Sequence, residues 1–178
     1  MRLGSTDRAT VLRGARCRAA GWAMGLALAL PLCLAPAGPA AGEPAAQEAP
    51  IVVDQVTDPR AGDVFMMFRF KPALVRVPVG RKVRILNSRG QHTVVSIKKM
   101  WPAGVPVVNL SNLDAADLRF NRPGLYGFTC KVHGRYGMVM LLAVGESWPN
   151  LEAARAGMPG GRAGARMRQL FAELEGGN

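Results

Sequence analysis

The stretch PGLYGFTCKVHGRYGMVMLLAVG, from Pro123 to Gly145, decides the fold of this chain. Its two ends are runs of strand-forming residues, and its middle is a short loop that contains glycine. The second run is apolar enough to be a central strand, so the unit predicts an all-β domain. The loop between the strands carries Cys130, His133 and Met138 in the spacing C-x2-H-x4-M. The same stretch therefore supplies three candidate metal ligands.

A fourth candidate ligand, His92, lies upstream in the segment SRGQHT. The whole chain has three cysteines and two histidines, so a site built from many histidines is excluded. One thiolate, two imidazoles and a thioether form the ligand set of a type 1 copper centre, in which the methionine is a weak axial ligand. When a thiolate and an imidazole lie on one tight loop, the chain loses little conformational entropy as both bind the same ion. A second imidazole from another strand then holds the ion between two parts of a stiff sandwich.

Each of these residues also has an ordinary structural interpretation. A lone buried cysteine is usually inert packing, and a methionine beside an apolar strand is usually part of the core. Zinc is a further alternative, but it prefers a closed set of Cys and His, and Met is a poor zinc ligand. The copper interpretation is favoured because the candidates fall in one ligand arrangement. We predict that His92, Cys130, His133 and Met138 bind one copper ion.

Short strands are predicted throughout residues 51–146, because β-branched and aromatic runs alternate with turn residues. The predicted strands are Ile51–Val53, Val64–Phe70, Ala73–Val79, Val83–Leu86, Thr93–Ile97, Ala116–Phe120, Leu125–Cys130 and Gly137–Val144. The turn Asn121–Gly124 predicts a hairpin between the sixth and seventh of these, and Lys98–Asn112 is predicted to be mostly loop. About eight strands at this spacing are typical of a β-sandwich or a small barrel.

The periodicity becomes helical over residues 147–178. Ser147 is placed to cap a first helix, with Pro149 in its first turn, and Gly157 to Gly161 end that helix. A second helix carries an amphipathic stripe at positions i, i+3, i+4 and i+7, formed by Met167, Leu170, Phe171 and Leu174. We predict that both helices pack on the sandwich; a helix that binds a partner is the alternative.

The N-terminus has the features of an export signal. Five arginines precede the apolar run from Trp22 to Leu34, and small residues at Ala35 to Ala37 form a cleavage pattern. We predict a cleaved signal peptide over residues 1–37, a flexible leader over residues 38–50 and a periplasmic protein. An uncleaved membrane anchor is the alternative. Cleavage would leave Cys130 as the only cysteine, in an oxidising compartment.

The chain is strongly basic, with 23 Lys and Arg against 12 Asp and Glu. Between Pro50 and Glu146 the count is 14 against 6, so the excess lies in the predicted sandwich. Nucleic acid is not the expected partner, because the basic residues are spread along the strands and the chain carries an export signal. We predict a monomer with protein redox partners that have an acidic docking face, and no stable membrane insertion after signal removal.

Three segments together resemble the cupredoxins, the type 1 blue copper proteins, and are most similar to the pseudoazurin family. They are the strand–loop–strand stretch Pro123–Gly145, the segment HTVVSIKKMWPAG at His92–Gly104, and ESWPNLEAAR at Glu146–Arg155. The resemblance covers about residues 64–174. It implies a Greek-key β-sandwich with two C-terminal α-helices. It also implies one type 1 copper ion per chain.

The resemblance further implies a function. The family consists of periplasmic carriers of single electrons rather than enzymes, and its partners include copper nitrite reductase and other respiratory enzymes. Its ligands fall on His92, Cys130, His133 and Met138, and its electron port falls on His133, whose ring edge faces solvent in an apolar patch. An enzyme is also disfavoured by the lack of an acid–base set near the ligands. The alternative is a copper-delivery protein or a cupredoxin with a non-blue centre.

The chain departs from the family pattern at three places. Thr93 stands where the family usually has Asn, whose side chain ties the two ligand loops together. With Thr93 at this position, the side-chain connection between the two ligand loops is in question. The backbone N–H of Thr93 is still expected to reach the sulfur of Cys130. Val132 stands where Pro is frequent. Arg135 and Tyr136 replace smaller, less charged residues, so the partner surface is expected to differ.

Overall fold

The computed structural model describes residues 48–177 of the chain. The predicted signal peptide and most of the predicted leader lie outside the described residues. Within residues 48–177, none of the helices combines the length and the apolar character needed to cross a bilayer.

Seven strands form a curled sheet in the described part of the chain. They are β1 (Ile51–Thr57), β2 (Phe68–Lys71), β3 (Leu74–Val77), β4 (Lys82–Ser96), β5 (Asn109–Arg119), β6 (Gly124–Thr129) and β7 (Val139–Val144). Their order is β2-β1-β4-β6-β7-β3, and β5 also pairs with β4. β1 runs parallel to β4 and β3 runs parallel to β7, whereas the other pairs are antiparallel. The predicted all-β class is confirmed, with seven described strands rather than about eight.

One long strand takes the place of two predicted strands. Val83–Leu86 and Thr93–Ile97 are parts of the β4 region, and the pairing of β4 with β5 shifts register between Ser88 and Thr93. The strand instead continues through an irregular, bulged stretch.

The predicted strand Val64–Phe70 is wrong in its first half. Val64–Met67 forms one helical turn, α1, because the carboxylate of Asp63 accepts the backbone N–H of Phe65 at 2.8 Å. This capping hydrogen bond favours a helix start despite the strand-forming side chains that follow it. β2 begins only at Phe68 and pairs with β1.

The predicted hairpin around Asn121–Gly124 is also wrong, because the ladder partners of β5 and β6 are other strands. β5 pairs with β4, whereas β6 lies between β4 and β7. β6 is buried along almost its whole length and is covered on both edges, while most of β5 is exposed. The start of β5 at Asn109 also shortens the loop that was predicted over Lys98–Asn112; a 3₁₀ turn occupies Lys98–Met100.

β7 separates two hydrophobic clusters. Met140, Leu142 and Val144 belong to the cluster inside the curled sheet, and Val139, Leu141 and Ala143 belong to the cluster beneath the C-terminal helices. This alternation follows from the two-residue period of a strand. Burial of a large apolar side chain contributes roughly 1.5–3 kcal/mol. β7 is therefore a firmly held base for the loop that precedes it.

Two helices, α2 (Leu151–Ala156) and α3 (Gly161–Gly176), follow the sheet. The predicted stripe of α3 is buried in the same cluster as β7, through Met167, Leu170, Phe171 and Leu174. This apolar face is therefore occupied within the domain. The N-cap of α2 is Asn150 rather than the predicted Ser147. The side-chain amide of Asn150 instead bonds the backbone N–H and carbonyl of Leu125, each at 2.8 Å, and so ties the helix start to β6.

Candidate metal centre

Three side chains with metal-binding atoms meet beside the end of β6. They are His92, Cys130 and His133, and their ligand atoms all lie within 4.8 Å of one another. Sγ of Cys130 is 3.7 Å from Nδ1 of His133. The structure therefore brings together three of the four candidate ligands from distant parts of the sequence.

A bulge in β4 carries His92. Ser88 faces Leu113 and Thr93 faces Ser111 across the β4–β5 ladder, so five steps along β4 match two along β5. The extra residues leave the regular ladder, and such bulges re-aim side chains next to functional sites. Gly90 has a φ of +63°, in the left-handed region that favours glycine, and lets the chain turn within the bulge.

Backbone hydrogen bonds close the loop from Cys130 to Met138. The N–H of Gly134 donates to the carbonyl of Cys130 at 2.8 Å, and a 3₁₀ turn spans Gly134–Tyr136. The N–H of Met138 donates to the carbonyl of His133 at 3.2 Å, and the N–H of Cys130 donates to the carbonyl of Met138 at 3.1 Å. These bonds fix how far the thiol and the imidazole can separate.

Gly137 is required by the backbone of this loop. Its φ is +98°, and a Cβ at this position would lie 2.5 Å from Cδ1 of Phe65. A larger residue would have to displace the Phe65 ring and adopt an unfavourable backbone conformation. The ring of Phe65, on α1, thus lies directly against the ligand loop.

The two ring nitrogens of His92 have different surroundings. Nε2 lies 2.9 Å from Oγ1 of Thr57. Nδ1 is buried, and no hydrogen-bond partner for it is found among the described residues. A buried polar atom without a partner is costly, so its lone pair is well placed for a metal ion.

Both imidazoles are shifted toward their neutral form. Burial lowers the pKa of His92, and the nearby carboxylate of Asp54 opposes this in part. Burial also lowers the pKa of His133, and the positive charges of His92 and Arg135 lower it further. A neutral imidazole is the form that binds a metal ion, so burial prepares both rings for ligation.

The donor set fits copper. Two imidazoles and a thiol that ionises on metal binding suit copper or zinc and are a poor set for magnesium or calcium. Met138 is fully buried at the end of the ligand loop, directly before β7. Its thioether would favour copper over zinc. That Met138 is the fourth ligand stays a prediction.

The side chain of Thr93 ties the two ligand segments together, which corrects the expectation that this tie is in question. Its Oγ1 accepts the backbone N–H of Lys131 at 2.8 Å and lies 3.7 Å from Sγ of Cys130. A threonine hydroxyl can therefore make the connection that the family usually makes with Asn. Val132, a second departure from the family pattern, is 37% exposed.

His133 is more enclosed than the resemblance implies, since only 5% of the residue is exposed. The ring of Phe68 stacks on it with a centroid distance of 4.0 Å and an interplanar angle of 3°. Sequence reasoning missed both Phe68 and Thr57. Thr57 is the last residue of β1 and Phe68 is the first residue of β2. The register of β1 against β2, which the sequence does not specify, sets the two residues opposite each other, and the assembled sheet brings them to the histidines.

Comparison with protein families gives a match over residues 60–145 to copper binding proteins of the plastocyanin/azurin family. Among characterised sequences, pseudoazurin from Methylorubrum extorquens is 37% identical over 109 residues, which cover 61% of this chain and 74% of the relative. Pseudoazurin from Paracoccus pantotrophus is 33% identical over 105 residues, covering 59% of this chain and 72% of the relative.

Solved structures give the same result. The crystal structure of pseudoazurin from Methylobacterium extorquens AM1 matches with a TM-score of 0.62 at 33% identity, covering 71% of this chain and 99% of that chain. Pseudoazurin from Hyphomicrobium denitrificans matches with a TM-score of 0.62 at 27% identity, covering 70% of this chain and 98% of that chain. The similarity thus includes nearly the full length of both solved proteins.

Proposed function

Because this chain belongs to the cupredoxins, the plastocyanin/azurin family of copper-binding proteins, and is most like pseudoazurin, we propose that it is a periplasmic carrier of single electrons. In this proposal His92, Cys130, His133 and Met138 hold one type 1 copper ion. The convergence of two imidazole nitrogens and one thiol within 4.8 Å is the observation that carries it.

Copper bound by such a set supplies one-electron chemistry between its Cu(I) and Cu(II) forms. The protein's own residues supply a rigid frame. Cys130 and His133 sit on a loop closed by its own hydrogen bonds, and His92 is held by β4 and by Thr57. A frame that fits both oxidation states equally well needs little rearrangement when an electron is gained or lost.

The enclosure of the cluster supports a carrier over a copper-delivery protein. Cys130 is 1% exposed, and His133 is stacked against Phe68. A protein that passes copper to a partner needs ligands that can exchange with that partner's ligands, and buried ligands exchange slowly. An electron needs no such opening, because it can pass through the edge of an imidazole that binds the ion.

In this proposal His133 is the exit for electrons and a partner protein docks over it. Lys131 and Arg135, on either side of His133, are both exposed. Positive charge around the exit favours a partner with an acidic docking face, and a copper nitrite reductase or another respiratory enzyme is the proposed acceptor. The N-terminal export pattern supports the periplasmic location. The protein is proposed to act as a monomer and not as an enzyme.

The visible spectrum of the copper-loaded protein tests the central part of this proposal. Type 1 centres owe their colour to charge transfer from a cysteine thiolate to Cu(II). A strong absorption band in the orange-red region is therefore expected, with Cys130 as the thiolate. Reduction should bleach the band, and reoxidation should restore it. A colourless complex, or one that cannot be cycled, would overturn the carrier proposal.

A further inference from the structure

Thr57 and Phe68 face each other across the β1–β2 ladder, and each contacts a different histidine of the metal centre. The two residues are register partners in the antiparallel pair. Side chains of directly opposed residues project to the same face of a sheet. Oγ1 of Thr57 lies 2.9 Å from Nε2 of His92, and the Phe68 ring stacks on His133 at 4.0 Å. One cross-strand pair therefore reaches both imidazoles.

We propose that Thr57 and Phe68 are positioning residues that set both imidazoles in their ligating orientation before any metal ion arrives. The inference rests on the proposed copper function, and it assigns a role to β1 and β2, which carry none of the candidate ligands. The two contacts act by different means. Thr57 fixes the tautomer of His92, and Phe68 fixes the orientation of the His133 ring plane.

The surroundings of His92 determine how the hydrogen bond to Thr57 runs. A neutral imidazole carries one proton, on either Nδ1 or Nε2. A proton on Nδ1 would be a buried donor without a partner, because no partner for Nδ1 is found among the described residues. A proton on Nε2 instead donates to the hydroxyl oxygen of Thr57. The hydrogen bond therefore favours the Nε2–H tautomer, which leaves the lone pair of Nδ1 available for a metal ion.

Phe68 restrains the orientation of the His133 ring by packing face to face against it. The two rings are within 3° of parallel, so rotation of the imidazole out of its plane would separate the faces or bring the rings into collision. Phe68 itself packs against the cluster inside the sheet, which keeps its ring from following such a rotation. Nδ1 of His133 is thereby kept 3.7 Å from the sulfur of Cys130.

The first test uses Thr57→Val, which removes the hydroxyl and keeps the shape, with Thr57→Ser as the variant that keeps the hydroxyl. Nitrogen NMR of the metal-free protein should show one Nε2–H tautomer for His92 in the wild type and in Thr57→Ser. A mixture of tautomers is expected in Thr57→Val. Because partners of ligating histidines typically change metal affinity 10- to 100-fold, Thr57→Val should weaken Cu(I) binding by about tenfold in competition with a bicinchoninate chelator.

The second test compares Phe68→Leu with Phe70→Leu on the same strand. Phe70 is buried in the same cluster, so both variants should destabilise the metal-free protein. Only Phe68→Leu should weaken Cu(I) binding. An equal loss of Cu(I) affinity in both variants would mean that Phe68 only stabilises the fold, and it would overturn the part of the proposal that concerns Phe68.

An unchanged His92 tautomer and full Cu(I) affinity in Thr57→Val would overturn the role of Thr57. The tautomer measurement needs no copper, so it separates this inference from the proposed function. A single tautomer in the wild type that is lost in Thr57→Val supports the inference even if the copper complex is colourless.

Discussion

The hydroxyl of Thr93 lies 3.7 Å from Sγ of Cys130 and accepts the backbone N–H of Lys131 at 2.8 Å. Because its oxygen is already an acceptor for Lys131, its own hydrogen is free to point at the sulfur. One hydroxyl thus links β4, which carries His92, to the loop that carries Cys130 and His133. It also gives the sulfur a hydrogen bond in the position where thiolate charge would reside.

Thr93→Val should lower the reduction potential of the copper protein. The hydrogen bond to sulfur draws charge from the thiolate and so favours Cu(I) over Cu(II). A net hydrogen bond contributes about 1 kcal/mol, which corresponds to about 40 mV for one electron. Voltammetry measures this shift. Thr93→Ser keeps the hydroxyl and should stay near the wild-type potential; equal potentials for all three proteins would show that this hydroxyl does not bond the sulfur.

Met138→Leu should keep the blue colour and raise the reduction potential. Only a weak axial bond is lost, while the thiolate and both imidazoles remain. The exchange of Met for Leu conserves volume, so the cost in stability should be below about 1.5 kcal/mol. Met140→Leu, at a second buried methionine that lies within β7, is the matched control and should leave the potential unchanged. Identical potentials for the two variants would argue that Met138 is not a ligand.

Cys130→Ser should abolish the blue colour and leave a folded domain. The sheet buries its two hydrophobic clusters through β7 and its neighbours, without help from a metal ion. Far-ultraviolet circular dichroism of the metal-free variant should match that of the metal-free wild type. A disordered spectrum for the variant would mean that Cys130 itself is needed to fold the domain.

Gly137→Ala should destabilise the metal-free protein by about 2–5 kcal/mol. A left-handed backbone costs a non-glycine residue about 1–2 kcal/mol, and overpacking against Phe65 adds about 1–3 kcal/mol. Gly62→Ala is the control, because φ there is not positive and a Cβ at Gly62 would meet nothing within 4 Å. Urea unfolding measures both. Equal stability of the two variants would show that the loop can adapt around Phe65.

The ligand loop was the part of this molecule most open to prediction from sequence. C-x2-H-x4-M places Cys130, His133 and Met138 within nine residues, and so short a loop between two strands leaves few arrangements. His92 could be added because the chain has only two histidines. Local composition was therefore enough to assemble the candidate site, and the periodic stripe of α3 was enough to predict a buried helix.

The pairing between strands could not be predicted from local sequence in the same way. The turn residues before Gly124 predicted a hairpin, yet β5 pairs with β4, because the pairing depends on which edges are left open by the rest of the sheet. The cap at Asp63, which starts α1, is a single hydrogen bond amid strand-forming residues. The contacts of Thr57 and Phe68 depend on register, and register is a property of the assembled sheet.

Electron transfer to an acidic partner should slow as ionic strength rises, and Arg135→Glu should slow it further at low salt. Arg135 is exposed two residues from His133, and its guanidinium lies over the ring of Tyr136 at 4.8 Å, which keeps the charge beside the proposed exit. Attraction between exposed charges speeds encounter and is screened over about 10 Å at 0.1 M salt. The matched control is Arg119→Glu, because Arg119 is also exposed but pairs with Lys82 at the start of β4, ten residues before His92. Stopped-flow reduction of a copper nitrite reductase across a salt series should show the larger loss for Arg135→Glu, and the two variants should converge at high salt. A rate that is flat with salt, or equal losses in both variants, would mean that docking depends on apolar contact around His133 rather than on charge.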